Sequence, residues 1–301
     1  MNRADRAMAG ARPRPNLRKG MFLLPSFFTA GNIAAGYFSI VQTIAALGGN
    51  AQQHLDWAAI AILFAIPFDT LDGRIARMTN TVSEFGKELD SLADVVTFGV
   101  APSILAFVWG FHFLPLTPHP QLQMHLLQAG GFICFLFLLG GASRLARFNI
   151  SHDAQPRNPG RPDRKYFVGM PIPAAAGLVA ASVHLCYGIP NVYWYIAVAW
   201  LVLLGLNAYL MVSTWRFWSG KEINLSRSHP FQLLIFLAAI AYVVLRYSNV
   251  SMFSATLIYM FSGIWARAAY SWQRSRRHRP GALPESGADA EPESLGPRFS
   301  G

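Results

Sequence analysis

Long apolar stretches recur along this 301-residue chain, and short polar segments rich in basic residues separate them. A helix needs about 20 apolar residues to cross a hydrocarbon core roughly 30 Å thick. Stretches of about that length or longer predict eight transmembrane helices, at residues 21–47, 56–78, 89–113, 124–148, 166–187, 192–213, 229–247 and 251–270. A membrane β-barrel would instead show short alternating segments. The pattern therefore predicts an all-α polytopic membrane protein.

The composition agrees with this fold class. Hydrophobic residues make up 53% of the chain and charged residues only 13%, which is too apolar for an ordinary soluble domain. All the Lys and Arg residues except Arg246 lie in the tails, in alternate connections or at the adjoining helix ends. By the positive-inside rule this distribution predicts cytoplasmic termini. The net charge of +10 is thus an orientation signal that also attracts anionic membrane lipids, and it does not indicate nucleic-acid binding.

Four carboxylates lie inside two neighbouring apolar stretches. Asp69 and Asp72 come near the end of the second stretch, and Asp90 and Asp94 near the start of the third. Carboxylates at membrane depth are costly to desolvate, so they tend to face a bundle interior or a wet cavity and to mark a site. Two antiparallel helices joined by a short turn are neighbours. We therefore expect these acids to converge.

Helical spacing places small and charged residues on the same face as these acids. One stripe of the second helix holds Asp69, Asp72, Gly73, Ala76 and Arg77. The third helix repeats the arrangement with Gly86, Asp90 and Asp94. Hard oxygen donors in this number suit one or two Mg²⁺ or Mn²⁺ ions, which also relieve the mutual repulsion of the acids. Two other interpretations stay open, namely structural ion pairs with Arg74 and Arg77, and a proton or cation path in a transporter.

The complete pattern, Asp69-x2-Asp72-Gly73-x2-Ala76-Arg77-x8-Gly86-x3-Asp90-x3-Asp94, resembles the motif of the CDP-alcohol phosphotransferases without a departure. The resemblance implies that family's fold, a homodimer, and a reaction that transfers a phosphoryl-containing group from a CDP-linked compound to a hydroxyl and releases CMP. It implies that Asp69, Asp72 and Asp90 bind two divalent metal ions, and that Asp94 binds metal and acts as general base. It also implies that the CDP moiety lies against Gly73, Ala76, Arg77 and Gly86. Asn32 resembles the asparagine that family members place near the nucleotide, although an interhelical hydrogen bond is an equal alternative.

Two further segments, Arg144–Asn149 and Gly169–Ala176, resemble the membrane-embedded bacterial branch of the family that uses serine. This resemblance implies transfer of the phosphatidyl group from CDP-diacylglycerol to L-serine in the bacterial cytoplasmic membrane. The serine carboxylate would need a cation, which Arg144 or Arg147 would offer, with Asn149 supplying a further hydrogen bond. Arginines at a cytoplasmic helix end also serve as topology anchors. Other acceptors, namely glycerol 3-phosphate, inositol and choline, stay open.

These features predict three regions. Residues 21–270 would form the transmembrane catalytic domain, residues 1–20 a basic disordered cytoplasmic tail, and residues 271–301 a second disordered cytoplasmic tail. The catalytic site would lie in the cytoplasmic half of the bilayer. A water-soluble substrate would reach it from the cytoplasm, and a lipid from the side.

Overall fold

A computed structural model of the protein describes residues 17–78, 84–115, 120–152, 166–218 and 246–277. Apart from short connections and one pair of three-residue strands, these residues are helical, which confirms the all-helical class. The helices are α1 (Leu17–Ala45), α2 (Ala51–Met78), α3 (Glu84–Asp94), α4 (Ala101–Phe107), α5 (Pro120–His152), α6 (Ile172–Leu185), α7 (Trp194–Val212) and α8 (Ser248–Arg277). The strands are β1 (Tyr166–Val168) and β2 (Arg216–Trp218), which pair antiparallel.

The third apolar stretch forms one helical rod with two changes of helix type. A π-helical segment, Val95–Val100, follows α3 directly, and a second one, Val108–His112, follows α4. A π-helix closes i→i+5 hydrogen bonds, so it is wider than an α-helix and is frequent at functional sites. The first π segment begins at the residue after Asp94, and it therefore sets how the acid-bearing helix continues into the membrane.

Within the described residues, four helical segments are long and apolar enough to cross a membrane, and they match four predicted spans. They are Phe27–Gly48, Phe85–His112, Pro120–Ile150 and Trp194–Val212. Helices α2 and α8 cover the predicted spans 56–78 and 251–270. The predicted span 229–247 lies almost wholly outside the described residues, so the total of eight spans and the orientation stay predictions.

The predicted tails meet the described helices at both ends of the chain. Helix α1 begins at Leu17, inside the predicted tail 1–20, and α8 continues to Arg277, beyond the predicted domain end at residue 270. Residues 1–16 and 278–301 lie outside the described residues. Residues 17–20 and 271–277 are thus helical and not disordered as predicted, and the disorder of the remaining tail residues stays a prediction.

The fifth predicted span, 166–187, differs from the structure at its start. Its first residues form β1, and the helix begins only at Ile172. Gly169 has a positive φ of 80°, and a Cβ there would lie 2.5 Å from the Met211 carbonyl oxygen, so glycine alone fits this turn. The amide N–H of Gly169 donates to Trp215 O at 2.8 Å. Helix α6 is consequently about 21 Å long at 1.5 Å per residue, shorter than a full membrane span.

Small residues allow the helices to pack closely around α6. This helix is buried from Ala175 to His184, and it contacts α2 on one side and α8 on the other, while α1 packs along α2 and α5 along α7. Gly177 of α6 lies between the two neighbours, where a Cβ would be 2.9 Å from Ile66 Cδ1 of α2 and 3.3 Å from Thr256 Cγ2 of α8. Such small-residue contacts are the usual means of close helix packing in membranes, where the hydrophobic effect gives no drive for association.

A polar cluster joins α2, α6 and α8 at the end of α2 away from the acids. His184 Nδ1 lies 2.6 Å from Asp56 Oδ1, and His184 Nε2 lies 3.1 Å from Ser248 Oγ. Asn249 Nδ2 donates to the His184 carbonyl oxygen at 2.7 Å. Asp56 is roughly 20 Å along α2 from Asp69 at 1.5 Å per residue. The cluster therefore ties three helices together far from the predicted site.

Candidate metal and substrate site

Three of the four predicted acids meet at one point. The ligand oxygens of Asp69, Asp90 and Asp94 lie within 4.8 Å of one another. Asp69 and Asp90 are partly buried, and Asp94 is only 8% exposed. The side chains of Asp69 and Asp94 also share a hydrogen bond. The predicted convergence of acids from α2 and α3 is confirmed for these three.

Local helix geometry explains this meeting. Asp90 and Asp94 are four residues apart on α3, so they lie one above the other on one face. Helix α2 continues to Met78, which puts residue 72 one turn beyond Asp69 on the same stripe. The side chains of Asp72, Gly73, Ala76 and Arg77 lie outside the described part of the structure, and their roles stay predictions.

The acid cluster fits a divalent cation. Carboxylate oxygens are the preferred ligands of Mg²⁺ and Mn²⁺, and two rigid helices supply them here at close range. Like charges at this separation repel each other unless a cation or a proton neutralises them. Arg144 interacts electrostatically with Asp94 and with Asp69, but it brings a single positive charge to three carboxylates. The donor set therefore suits a bound metal ion.

Asn32 of α1 lies against this cluster. The residue is 1% exposed, and its Nδ2 donates to Asp94 Oδ1 at 3.4 Å. Thr97 Oγ1 donates to the Asn32 backbone carbonyl at 2.9 Å. One turn along α1, a Cβ at Gly36 would lie 2.5 Å from Thr97 Oγ1, so α1 approaches the π segment as closely as glycine permits. The interhelical hydrogen bond considered for Asn32 is confirmed, and its contact with a nucleotide stays a prediction.

The two arginines at the end of α5 have different surroundings. Arg144 is 7% exposed and interacts electrostatically with Asp94. Its guanidinium also lies 5.3 Å from the centre of the Phe148 ring. It is therefore the arginine on the side of the acids.

Arg147 contacts backbone instead. Its guanidinium donates to the carbonyl oxygens of Val212 at 2.9 Å, Met211 at 3.1 Å and Ser213 at 3.3 Å. These carbonyls belong to the end of α7, where helical partners are lacking. Arg147 thus caps α7, and binding of serine by either arginine stays a prediction.

Asn149 connects the end of α5 to the acid-bearing helix. Its Nδ2 donates to Ser91 Oγ at 2.8 Å, and Ser91 Oγ donates to the Lys87 carbonyl at 3.0 Å. Ser91 follows Asp90 directly, so the predicted serine-binding segment does lie beside the acids. Gly86 is partly buried one turn before Asp90. The substrate contacts proposed for Asn149 and Gly86 stay predictions.

Three further residues surround the site and were not predicted from the sequence, namely Ser91, Thr97 and Tyr259. Thr97 and Ser91 are polar residues on the same helical rod as Asp94, and that position is a usable signal. Tyr259 of α8 stacks on Phe217 of β2, with ring centres 5.9 Å apart, and interacts electrostatically with Arg144. No local pattern marks Tyr259, because it comes from a distant helix.

Comparison with known proteins decides the family. Residues 22–199 match the family model described as CDP-alcohol phosphatidyltransferase. The chain belongs to this family. The match takes in the acid cluster, Asn32 and both arginines of α5, and it confirms the resemblance found in the sequence. Members of this CDP-alcohol phosphatidyltransferase family use divalent metal ions, in agreement with the donor set at the acids.

Several relatives carry the same name. The CDP-diacylglycerol--serine O-phosphatidyltransferases of Helicobacter pylori strains 26695 and J99 are each 36% identical over 228 residues, which cover 73% of this chain and 82% of theirs. The enzyme of that name from Saccharomyces cerevisiae is 36% identical over 161 residues, covering 54% of this chain and 53% of its own. Family membership argues against the transporter interpretation, because the family is defined by group transfer.

Proposed function

We propose that the protein transfers the phosphatidyl group of CDP-diacylglycerol to the hydroxyl of L-serine, giving phosphatidylserine and CMP. The observation that carries this proposal is the set of relatives named for serine transfer, which match most of the chain at 36% identity. The cluster of Asp69, Asp90 and Asp94 supports it, since the reaction needs a carboxylate base and bound cations.

In the proposed reaction, Asp94 accepts the proton of the serine hydroxyl. The serine oxygen then bonds to the phosphorus that bears diacylglycerol, and the bond from that phosphorus to CMP breaks. A bound Mg²⁺ or Mn²⁺ ion would neutralise the pyrophosphate and the charge on the departing CMP. CMP leaves as an anion, so no separate acid is required. The metal ligands would be Asp69, Asp72, Asp90 and Asp94, and the CDP moiety would lie along Gly73, Ala76, Arg77 and Gly86.

Arg144 is the better of the two candidates for the serine carboxylate. It is buried and interacts electrostatically with Asp94, so its guanidinium lies on the side where the acceptor hydroxyl would be held. A guanidinium pairs well with a carboxylate because it donates two parallel hydrogen bonds. Arg147 donates to carbonyls of α7, and in this proposal it stabilises the fold near the site without contacting serine.

The proposed setting is the cytoplasmic membrane of a bacterium, with the site facing the cytoplasm. The distribution of Lys and Arg along the sequence supports eight spans with both termini on that side. Anionic lipids would contact the basic connections. A homodimer is proposed from the family resemblance alone.

The test is an acceptor competition with purified protein. CDP-diacylglycerol and Mn²⁺ or Mg²⁺ would be supplied together with labelled serine, glycerol 3-phosphate, inositol or choline. We expect phosphatidylserine and CMP in equal amounts, with Asp94→Asn as the inactive control. A product with another acceptor and none with serine would reject the substrate but keep the family. Ion flux in proteoliposomes without CMP release would reject the transferase itself.

A further inference from the structure

In the side-chain amide of Asn32 the nitrogen has a hydrogen-bond partner, whereas the oxygen has none among the described residues. Its Nδ2 points to Asp94 Oδ1, whereas its Oδ1 is buried without a hydrogen-bond partner among the described residues. Buried amide oxygens in folded proteins are nearly always satisfied, and an unsatisfied one calls for a ligand or an ordered water. This oxygen lies on a side chain that is 1% exposed and contacts the acid cluster. It is thus an acceptor built into the site.

We infer that Asn32 Oδ1 accepts a hydrogen bond from the α-ammonium group of the amino-acid acceptor. The inference rests on the proposed function. A substrate group that binds this oxygen has to be a hydrogen-bond donor, and the phosphates of CDP-diacylglycerol only accept hydrogen bonds. The donors of the nucleotide, on cytosine and ribose, are remote from the phosphorus under attack. Asn32 contacts Asp94, the proposed base, so the nearest substrate is the one whose hydroxyl Asp94 deprotonates.

The chemistry of serine fits this position. Its ammonium group is bonded to the carbon next to the hydroxymethyl group, so it comes close to Asp94 whenever the hydroxyl does. An ammonium group has three donors, and an amide oxygen is a directional acceptor without charge. A carboxylate at residue 32 would add a further negative charge to the three already clustered there and would compete for the metal.

Asn32 also completes a three-point contact. Asp94 would hold the hydroxyl, Arg144 the carboxylate, and Asn32 the ammonium group, which is the minimum needed to distinguish L-serine from D-serine. Thr97 and Gly36 fix the backbone of α1 at this point. The contact is therefore preorganised, as a specificity determinant requires.

The experiment compares L-serine with 3-hydroxypropionate, which lacks only the ammonium group. For Asn32→Ala we expect the KM for serine to rise roughly 10- to 100-fold, the range for one hydrogen bond to a charged group. The preference for serine over 3-hydroxypropionate should fall by the same factor, and the KM for CDP-diacylglycerol should stay within about twofold. Asn32→Asp keeps an acceptor oxygen and should keep the preference, although its turnover falls.

Asn207→Ala is the matched control, because Asn207 is a fully buried asparagine on α7 whose side-chain atoms also have no partner among the described residues. It should leave the preference unchanged. A raised KM for CDP-diacylglycerol with an unchanged KM for serine would overturn the inference in favour of a nucleotide contact. Equal losses with serine and 3-hydroxypropionate would overturn it too. If Asn32→Ala does not fold, Asn32→Asp still tests the inference. Loss of the preference for serine over 3-hydroxypropionate in that variant would overturn it. Wild-type protein that makes no serine lipid would reject the proposed function instead.

Discussion

Replacing Arg147 by methionine should destabilise the protein without weakening its affinity for serine. The guanidinium donates to Val212 O at 2.9 Å and to Met211 O at 3.1 Å, and these two bonds have normal lengths. Hydrogen bonds from charged groups contribute about 1.5–3 kcal/mol each. Because Arg147 is only partly buried, the lower value applies, and two bonds give about 3 kcal/mol. That loss corresponds to a fall of roughly 5–10 °C in the unfolding midpoint.

The assay measures the unfolding midpoint in detergent by size-exclusion chromatography after heating, and then the KM for serine of the folded fraction. Arg147→Lys keeps the charge but loses the planar set of donors, so its midpoint should lie between those of wild type and Arg147→Met. Arg144→Met is the contrasting variant, and it should raise the KM for serine more than about tenfold. An unchanged midpoint together with a raised KM in Arg147→Met would show that Arg147 binds substrate, and the capping argument would be wrong.

Three further outcomes are expected. Asp94→Asn should lower turnover by about 10²- to 10⁴-fold, the usual contribution of a general base, while binding of labelled CDP-diacylglycerol stays measurable; loss of binding to the same extent would contradict that role. Chelation with EDTA should abolish product formation, Mn²⁺ or Mg²⁺ should restore it, and Asp69→Asn should need more metal for half-maximal rate; activity that survives chelation would exclude metal dependence. Gly36→Ala should lower the unfolding midpoint, since its Cβ would clash with Thr97 and overpacking costs about 1–3 kcal/mol. Gly48→Ala, where no atom lies within 4 Å, should not, and equal effects would refute the packing argument.

The acid cluster was predictable because helical geometry alone brings it together. Asp90 and Asp94 share a face by their spacing, and a short connection makes α2 the neighbour of α3, so Asp69 has to approach them. Asn32 was identified by its polarity inside an apolar span. In each case a short-range pattern carried the information.

The different environments of Arg144 and Arg147 could not be predicted in this way. The two residues are three positions apart on one helix, so any periodic pattern puts them on the same side. What separates them is the end of α7, far along the chain, whose carbonyls Arg147 contacts. The start of α6 was missed for a related reason. Tyr166, Phe167 and Val168 are as apolar as a membrane helix, and only pairing with β2 makes them a strand.

The π segment at Val95–Val100 has a consequence for anyone who aligns or mutates this span by a helical wheel. Each wider turn accommodates an additional residue, so angular positions counted from Asp94 drift away from their true azimuth before Ala101 is reached. A one-residue deletion there would remove the additional residue and restore uniform α-helical winding, and the downstream surface, including Leu105 and Trp109, would keep nearly its present orientation. The same deletion in a regular α-helical turn of this rod would instead rotate everything downstream by about 100°.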